Sequence, residues 1–200
     1  MPDGRPNRLR LFVSLAVPEA VKAELERAQA ELRAAVPRAR VRWAPREQLH
    51  LTLKFLGDVE PGDLEGLARA LGAVGRAFPA PQLVAERVGF FPIGRLPRVI
   101  WAAVQDRAQE LPRLQRAIEE AVRQFTAEPA EHDFSGHVTL GRIKAISAPE
   151  ARTLTDTART MATRRFGEWT ADSLALMQSR LSPGGAIHSC ARQFPLNAGR

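Results

Sequence analysis

Two short segments of the sequence carry the same residue types at the same spacing. They are His50-Leu51-Thr52-Leu53 and His137-Val138-Thr139-Leu140, and they lie about half of the 200-residue chain apart. If each segment is a strand, residues i and i+2 share a face, so an imidazole projects beside a hydroxyl while the aliphatic residues face a core. Histidine exchanges protons near neutral pH, and a hydroxyl can donate a hydrogen bond to a phosphate oxygen. The repeated pattern therefore predicts one pocket that opens a phosphodiester by acid and base catalysis.

Other chemistries have weaker support in the sequence. A metal site needs three or more ligands, but neither motif contains a carboxylate at ligand spacing, and His132 and Asp133 precede the second motif in a predicted loop. We therefore expect no metal and no other cofactor. Cys190 is the single cysteine, and we expect it to be a packing residue of a C-terminal strand. A lone histidine on a strand is usually structural, so the prediction depends on the pair.

The composition indicates a folded protein with an anionic partner. Hydrophobic residues make up 44% of the chain, the net charge is +7 and the pI is about 11.0, which favours nucleic acid. The alternative is that many arginines are ordinary solvated surface. Residues that either line an RNA track or belong to that plain surface are Arg42, Arg46, Arg95, Arg98 and Arg180. One cysteine and no apolar stretch of the roughly 20 residues that a membrane span needs lead us to expect a cytoplasmic protein without a membrane segment.

The hydrophobic pattern alternates between strands and helices. Strands are expected at 10–17, 41–43, 48–56, 82–90, 99–104, 137–143, 173–181 and 186–196. Helices are expected at 18–36, 63–78, 105–125 and, after the capping-box sequence that begins at Ser147, up to residue 163. Turns are expected at Gly57-Asp58 and across residues 182–185. The order lacks strict parallel strand–helix–strand units, so the sequence predicts an α+β fold with two sheets.

The sequence around these motifs resembles the two-histidine (2H) phosphoesterase superfamily, in particular its bacterial and archaeal RNA 2',3'-cyclic phosphodiesterases, historically named 2'-5' RNA ligases. The similarity covers nearly the whole chain. The segments that carry it are Arg8 to Leu15, Val41-Arg42-Trp43, His50 to Gly57, Pro97 to Trp101, the second motif, and Ser173 to Gly185.

The resemblance implies a fold, a reaction and a set of site residues. Residues 1–200 would form one bilobal domain of duplicated lobes, with two antiparallel sheets facing a central cleft and one His-x-Thr strand in each lobe. The family product is a 2'-phosphomonoester, so His50 would be the acid toward O3' and His137 the base for water. The remaining contacts implied are Thr52, Thr139 and Arg142 to phosphate, and Phe55 to a nucleobase.

Several questions stay open at the level of sequence. Arg142 lies at odd spacing from Thr139, so it reaches the pocket only if the strand twists or ends there. His188 replaces a tyrosine that is common in relatives, and it is either structural or substrate-lining. The expected partners are RNA with 2',3'-cyclic phosphate ends or cyclic nucleotides, acted on by a monomer. The alternatives to hydrolysis are an ATP-independent 2'-5' RNA ligase in RNA repair and a non-catalytic module that binds RNA ends.

Overall fold

Helices and strands alternate along the chain in the computed structural model, which describes residues 8–93, 96–131, 133–182 and 185–198. Within these residues the four α-helices are α1 (Glu19–Ala35), α2 (Leu64–Ala77), α3 (Glu110–Val122) and α4 (Ala148–Arg159). The nine strands are β1 (Leu9–Ala16), β2 (Arg40–Trp43), β3 (His50–Val59), β4 (Gln82–Phe91), β5 (Val99–Gln105), β6 (His137–Ala145), β7 (Arg165–Thr170), β8 (Ser173–Ser182) and β9 (Gly185–Pro195).

All the strands belong to one antiparallel sheet with the order β7-β4-β5-β6-β3-β1-β8-β9, and β2 pairs with β6. The α+β prediction is confirmed. In the middle of this sheet β3 and β6 are joined by a single residue pair, Leu51 with Val138. The pair divides the sheet into two arms, which correspond to the two expected sheets. Beyond this pair the two arms separate, and each arm carries one His-x-Thr strand, as predicted.

Each arm contains elements from both halves of the chain. If β2, β7 and the terminal β9 are set aside, the halves have the matching orders β1-α1-β3-α2-β4 and β5-α3-β6-α4-β8, but β4 pairs with β5, and β8 pairs with β1. Likewise α1 packs on α4 and β7, whereas α3 packs on α2 and β3. We call β1, β3, β8 and β9 with α2 and α3 the first lobe, and the remaining strands with α1 and α4 the second lobe.

Apolar faces of the helices pack on the sheet and form its core. In α1 the buried residues Val21, Leu25, Ala28 and Leu32 recur with helical period, as expected from the sequence. Each fully buried leucine or valine contributes roughly 1.5–3 kcal/mol through the apolar surface it removes from water. The capping box before α4 is confirmed: Ser147 accepts from the Glu150 amide, and the Glu150 side chain bonds back to Ser147.

Some local predictions are wrong or fall outside the described residues. β3 continues through the turn predicted at Gly57-Asp58, because Gly57 takes a φ of +65° at a bulge opposite β1. The short edge strand β7 was not predicted, and the helix expected to reach residue 163 ends at Arg159. Cys190 is exposed and not a packing residue. The residues Arg95, His132, Pro183 and Gly184 lie outside the described part of the chain.

Candidate active site

The two motifs meet where the lobes join. Leu51 and Val138 are fully buried partners in an antiparallel pair, and continuing this register sets His50 opposite Thr139 and Thr52 opposite His137. Their side chains alternate with the buried pair, so all four project to the side of the sheet away from the core. The imidazoles lie diagonally across this single pair; diagonal residues in a regular ladder are roughly 7–8 Å apart and the separation of the arms widens the gap, which leaves room for a phosphate.

A bulge changes the alternation at the same place in both motifs. In β3 the register with β1 shifts between Thr52 and Lys54, so Lys54 is buried and Phe55 turns to the cleft. In β6 the register with β5 shifts between Thr139 and Gly141, so Arg142 turns to the cleft. An extra residue at a bulge reverses which face the following side chains occupy. This answers how Arg142 reaches the pocket from odd spacing.

The cleft between the lobes has a volume of about 700 Å³. It is lined by all six residues predicted from the sequence, namely His50, Thr52, Phe55, His137, Thr139 and Arg142. Further cations at its walls are Arg10, Arg42 and Lys144, and two carboxylates, Glu128 and Glu131, also line it. The excess of cations suits an anionic ligand.

His50 is held in a cluster of rings. It stacks on Phe12 with 5.0 Å between ring centroids and an interplanar angle of 25°, and the ring of His188 lies 5.4 Å away. Burial lowers the pKa of His50 to about 4, with smaller contributions from His188 and Lys22, since removal from water disfavours the charged ring. His50 is therefore neutral at pH 7 in the free protein. His188 lines the cleft, and burial lowers its pKa too.

His137 is oriented by a backbone hydrogen bond. Its Nδ1 lies 2.7 Å from the carbonyl oxygen of Ser135, and because a carbonyl only accepts, Nδ1–H must be the donor. The proton is thereby assigned to Nδ1 in the neutral ring, and Nε2 is the nitrogen that can exchange a proton with a ligand. The rings of Phe91 and Trp101 lie 5.3 and 6.3 Å from His137 and restrict its position.

Buried polar side chains anchor both motif strands. Gln29, on α1, donates from Nε2 to the carbonyls of Ala44 and Leu140, each at 2.8 Å, and so ties β6 to α1. Lys54, 4% exposed, pairs with Glu119 of α3 at 2.9 Å and so ties β3 to α3. A polar group buried without such partners would cost stability, so these contacts favour one position of each motif.

Of the described arginines considered for an RNA track, only one lines the cleft. Arg42 lines the cleft, whereas Arg46 lies in ion pairs with Glu19 and Glu26. Arg98 and Arg180 are exposed. Sequence reasoning missed several residues of the cleft: Phe12, Trp43, Glu128, Glu131, Phe134 and Lys144. Lys144 could have been found, because it follows Arg142 by two residues in the same strand. Glu128, Glu131 and Phe134 belong to no periodic pattern in the sequence that would indicate a place in the cleft.

Across the four described ranges no group of three His, Cys, Asp or Glu side chains is arranged to hold a metal ion. In the same ranges no helix is long and apolar enough to cross a membrane.

An α+β fold that brings two His-x-Thr strands to one cleft defines a two-histidine phosphoesterase. The chain belongs to the family of LigT-like phosphoesterases, whose sequence pattern matches residues 15–101 and again residues 103–188. Each match contains one motif, so the duplication predicted from the paired motifs is confirmed.

Similar proteins and solved structures agree with this assignment. A protein of Archaeoglobus fulgidus named RNA 2',3'-cyclic phosphodiesterase is 32% identical over 93% of this chain and 99% of its own length. The structure of TT0787 of Thermus thermophilus has a TM-score of 0.76 and 29% identity, over 94% of this chain and 98% of that one. E. coli LigT, solved with 3'-AMP, has the same fold, with a TM-score of 0.73 and 20% identity over 95% of this chain and 99% of that one.

Proposed function

We propose that this protein hydrolyses the 2',3'-cyclic phosphate end of RNA to a 2'-phosphomonoester, with His50 and His137 as its acid–base pair and without a metal ion. The observation that carries this proposal is the pairing of Leu51 with Val138, which directs both imidazoles and both threonines into one cleft. The name of the similar Archaeoglobus protein supports the substrate class. Arginine would suit a purely binding site better than paired histidines.

In the proposed reaction a water oxygen attacks phosphorus while His137 Nε2 takes the water proton. The bond from phosphorus to O3' breaks, His50 gives a proton to O3', and the phosphate remains on O2'. The Thr52 and Thr139 hydroxyls donate to non-bridging oxygens, and Arg142 offsets the negative charge that develops on them. Each proton transfer typically contributes about 10² to 10⁴ in rate.

For His50 to act as the acid, binding of the substrate must favour the protonated form of its imidazole. Because the free protein holds this ring neutral, the bound phosphate anion must raise the pKa of His50. An opposite charge within about 4–6 Å of an imidazole has this effect. The opposite assignment, with His50 as base, would need no such change, so the division of roles requires its own test.

Two assays test the proposal. Hydrolysis of an oligonucleotide with a 2',3'-cyclic phosphate end should proceed in EDTA, and His50→Ala and His137→Ala should each lower kcat by at least about 10² while the fold is retained. Full activity in either variant would refute the mechanism. With sulfur replacing the bridging O3', a leaving group that needs no acid, His50→Ala should regain most activity and His137→Ala should not. The reverse pattern would exchange the two roles.

The same groups can activate a 5'-hydroxyl in place of water: its oxygen attacks phosphorus, the bond to O3' breaks and O3' is protonated, which gives a 2'-5' linkage without ATP. Yields of ligation and hydrolysis on one labelled substrate would separate a ligase from the hydrolase. A module that only binds RNA ends would leave the cyclic phosphate intact. We further propose that the chain acts as one domain and as a cytoplasmic monomer, which light scattering and localisation of the tagged protein would test.

A further inference from the structure

A carboxylate lies beside the most exposed aromatic ring of the cleft. Phe55 is 56% exposed, and Gly57, two residues further on, lines the same wall. A Cβ built on Gly57 would come within 2.7 Å of Glu128 Oε1, so this oxygen lies directly over the glycine. Gly57 follows Phe55 by two residues at a bulge, so their Cα atoms are at most roughly 7 Å apart, and the carboxylate lies within about one nucleobase of the ring of Phe55.

The backbone that carries Glu128 is held on both sides. The Thr126 hydroxyl donates to the Leu56 carbonyl at 2.7 Å and accepts from the Glu128 amide at 3.0 Å. The Lys54 ammonium donates to the Pro129 carbonyl at 2.7 Å. These contacts bind the segment to β3, the strand of the first motif, and so preorganise the position of Glu128 relative to Phe55.

The exposed carboxylate of Glu128 has no partner among the described residues, whereas the carboxylate of Glu119 is bound by Lys54, the Gln115 side chain and the Glu131 amide. An unpaired negative charge in a cleft for an anion opposes binding unless it accepts hydrogen bonds from the ligand. In the terminal nucleotide of an RNA with a 2',3'-cyclic phosphate end, O2', O3' and O5' of the ribose are all esterified and the phosphates present only acceptors, so the donors of that nucleotide are on its base. RNA-binding proteins read single-stranded bases in this manner, by stacking on an aromatic ring and bonding their Watson–Crick edge.

We infer that Phe55 and Glu128 form a base subsite that selects guanine in the nucleotide bearing the cyclic phosphate. Guanine presents two adjacent donors, N1–H and N2–H, that match the two oxygens of one carboxylate. Adenine and cytosine present an amino group next to an acceptor nitrogen, and uracil presents one N–H between two carbonyls, so each places an acceptor against the negative charge. This inference rests on the proposed function.

The positions of the rings fit a single nucleotide. Phe12 contacts both His50, at 5.0 Å, and Phe55, at 5.9 Å between centroids, so one ring separates the catalytic imidazole from the stacking surface. A nucleotide whose phosphate lies between the histidines can therefore extend its base over Phe55 and its Watson–Crick edge toward Glu128.

The experiment compares kcat/KM for the four nucleoside 2',3'-cyclic monophosphates. The guanosine substrate should exceed the uridine substrate by about tenfold or more, the range of a bidentate base contact. Glu128→Gln, which keeps one acceptor, should reduce this ratio, and Glu128→Ala should abolish it. The matched control is Glu168→Gln, an exposed glutamate on the distant edge strand β7, which should leave the ratio unchanged. Phe55→Ala should weaken all four substrates, and Phe55→Trp should restore them.

Equal kcat/KM values for the four bases, or a guanosine preference that survives Glu128→Ala, would overturn the inference while leaving the hydrolase intact. Loss of all hydrolysis in the wild-type protein would instead refute the proposed function. In that case, binding of guanosine 2'-phosphate against uridine 2'-phosphate, measured by calorimetry, still tests the base subsite. Equal affinities there would overturn it.

Discussion

Replacing Lys54 by methionine tests the buried contact that joins the first motif strand to α3. The Lys54 side chain is 4% exposed and that of Glu119 is 13% exposed, with 2.9 Å between Nζ and Oε2. Methionine retains the length and apolar character of the lysine stem but removes the charge. The substitution therefore leaves the Glu119 carboxylate buried without its cation.

The expected loss is large because both groups are removed from water. Breaking a buried ion pair by removing one partner typically costs about 3–5 kcal/mol. For a chain of this length each kcal/mol lowers Tm by roughly 2–4 °C, so Lys54→Met should lower Tm by about 10 °C. Lys22→Met is the matched control, since Lys22 pairs with the 67%-exposed Glu19 and such a surface pair contributes about 0–1 kcal/mol.

A double-mutant cycle separates the ion pair from simple packing. Lys54→Met combined with Glu119→Gln removes the stranded charge but keeps an acceptor for the Gln115 amide and the Glu131 amide, which both donate to Glu119 Oε1. Urea unfolding of the four proteins should show that the double variant regains most of the stability lost in Lys54→Met. A loss below about 1 kcal/mol in the single variant, or purely additive effects, would refute this account.

Two further substitutions test the site itself. Because the pKa of His50 is about 6.5 when unfolded and about 4 when folded, the unfolded state binds the proton first as the pH falls. The free energy of unfolding should therefore fall by roughly 3 kcal/mol between these two pKa values as the pH is lowered. In urea unfolding at pH 7 and pH 4.5, His50→Gln should lose correspondingly less stability than the wild-type protein. An equal loss in the two proteins would contradict the burial of the ring. Gly57→Ala should lower stability by about 1–2 kcal/mol through its φ of +65°, and displace Glu128. In Gly57→Ala the ratio of kcat/KM for the guanosine substrate to that for the uridine substrate should fall toward one, while the uridine substrate is still hydrolysed. An unchanged ratio would contradict the placement of Glu128.

Much of the fold follows from local patterns in the sequence. The stripe of Val21, Leu25 and Leu32 predicts α1, and the capping box predicts the start of α4. In each case the residues that make the signal lie close together in the sequence. The exchange of β4 and β8 between the lobes leaves no such local signal, since it depends on which strand edges meet in three dimensions. β7 was missed because its six residues form a short edge strand that includes Gly167.

The candidate site was predictable as far as the repeated motif extends. His50, Thr52, His137 and Thr139 were found through spacing alone, and the structure brings all four to one cleft. Glu128 could not be found in this way, because it reaches the cleft from a loop through contacts made by Thr126 and Lys54. The lowered pKa of His50 was equally invisible, since it arises from burial against Phe12 and His188, which lie far away in the sequence.

The two bulges place different side chains at equivalent positions of the duplicated site. Each motif strand presents a histidine, a threonine and, after the bulge, a residue three positions beyond the threonine. In the first lobe that residue is Phe55, and in the second it is Arg142. An apolar ring and a guanidinium at equivalent positions favour opposite ends of a nucleotide, the base and the phosphate. We therefore propose that the substrate binds in one orientation, which would give the two similar histidines different roles.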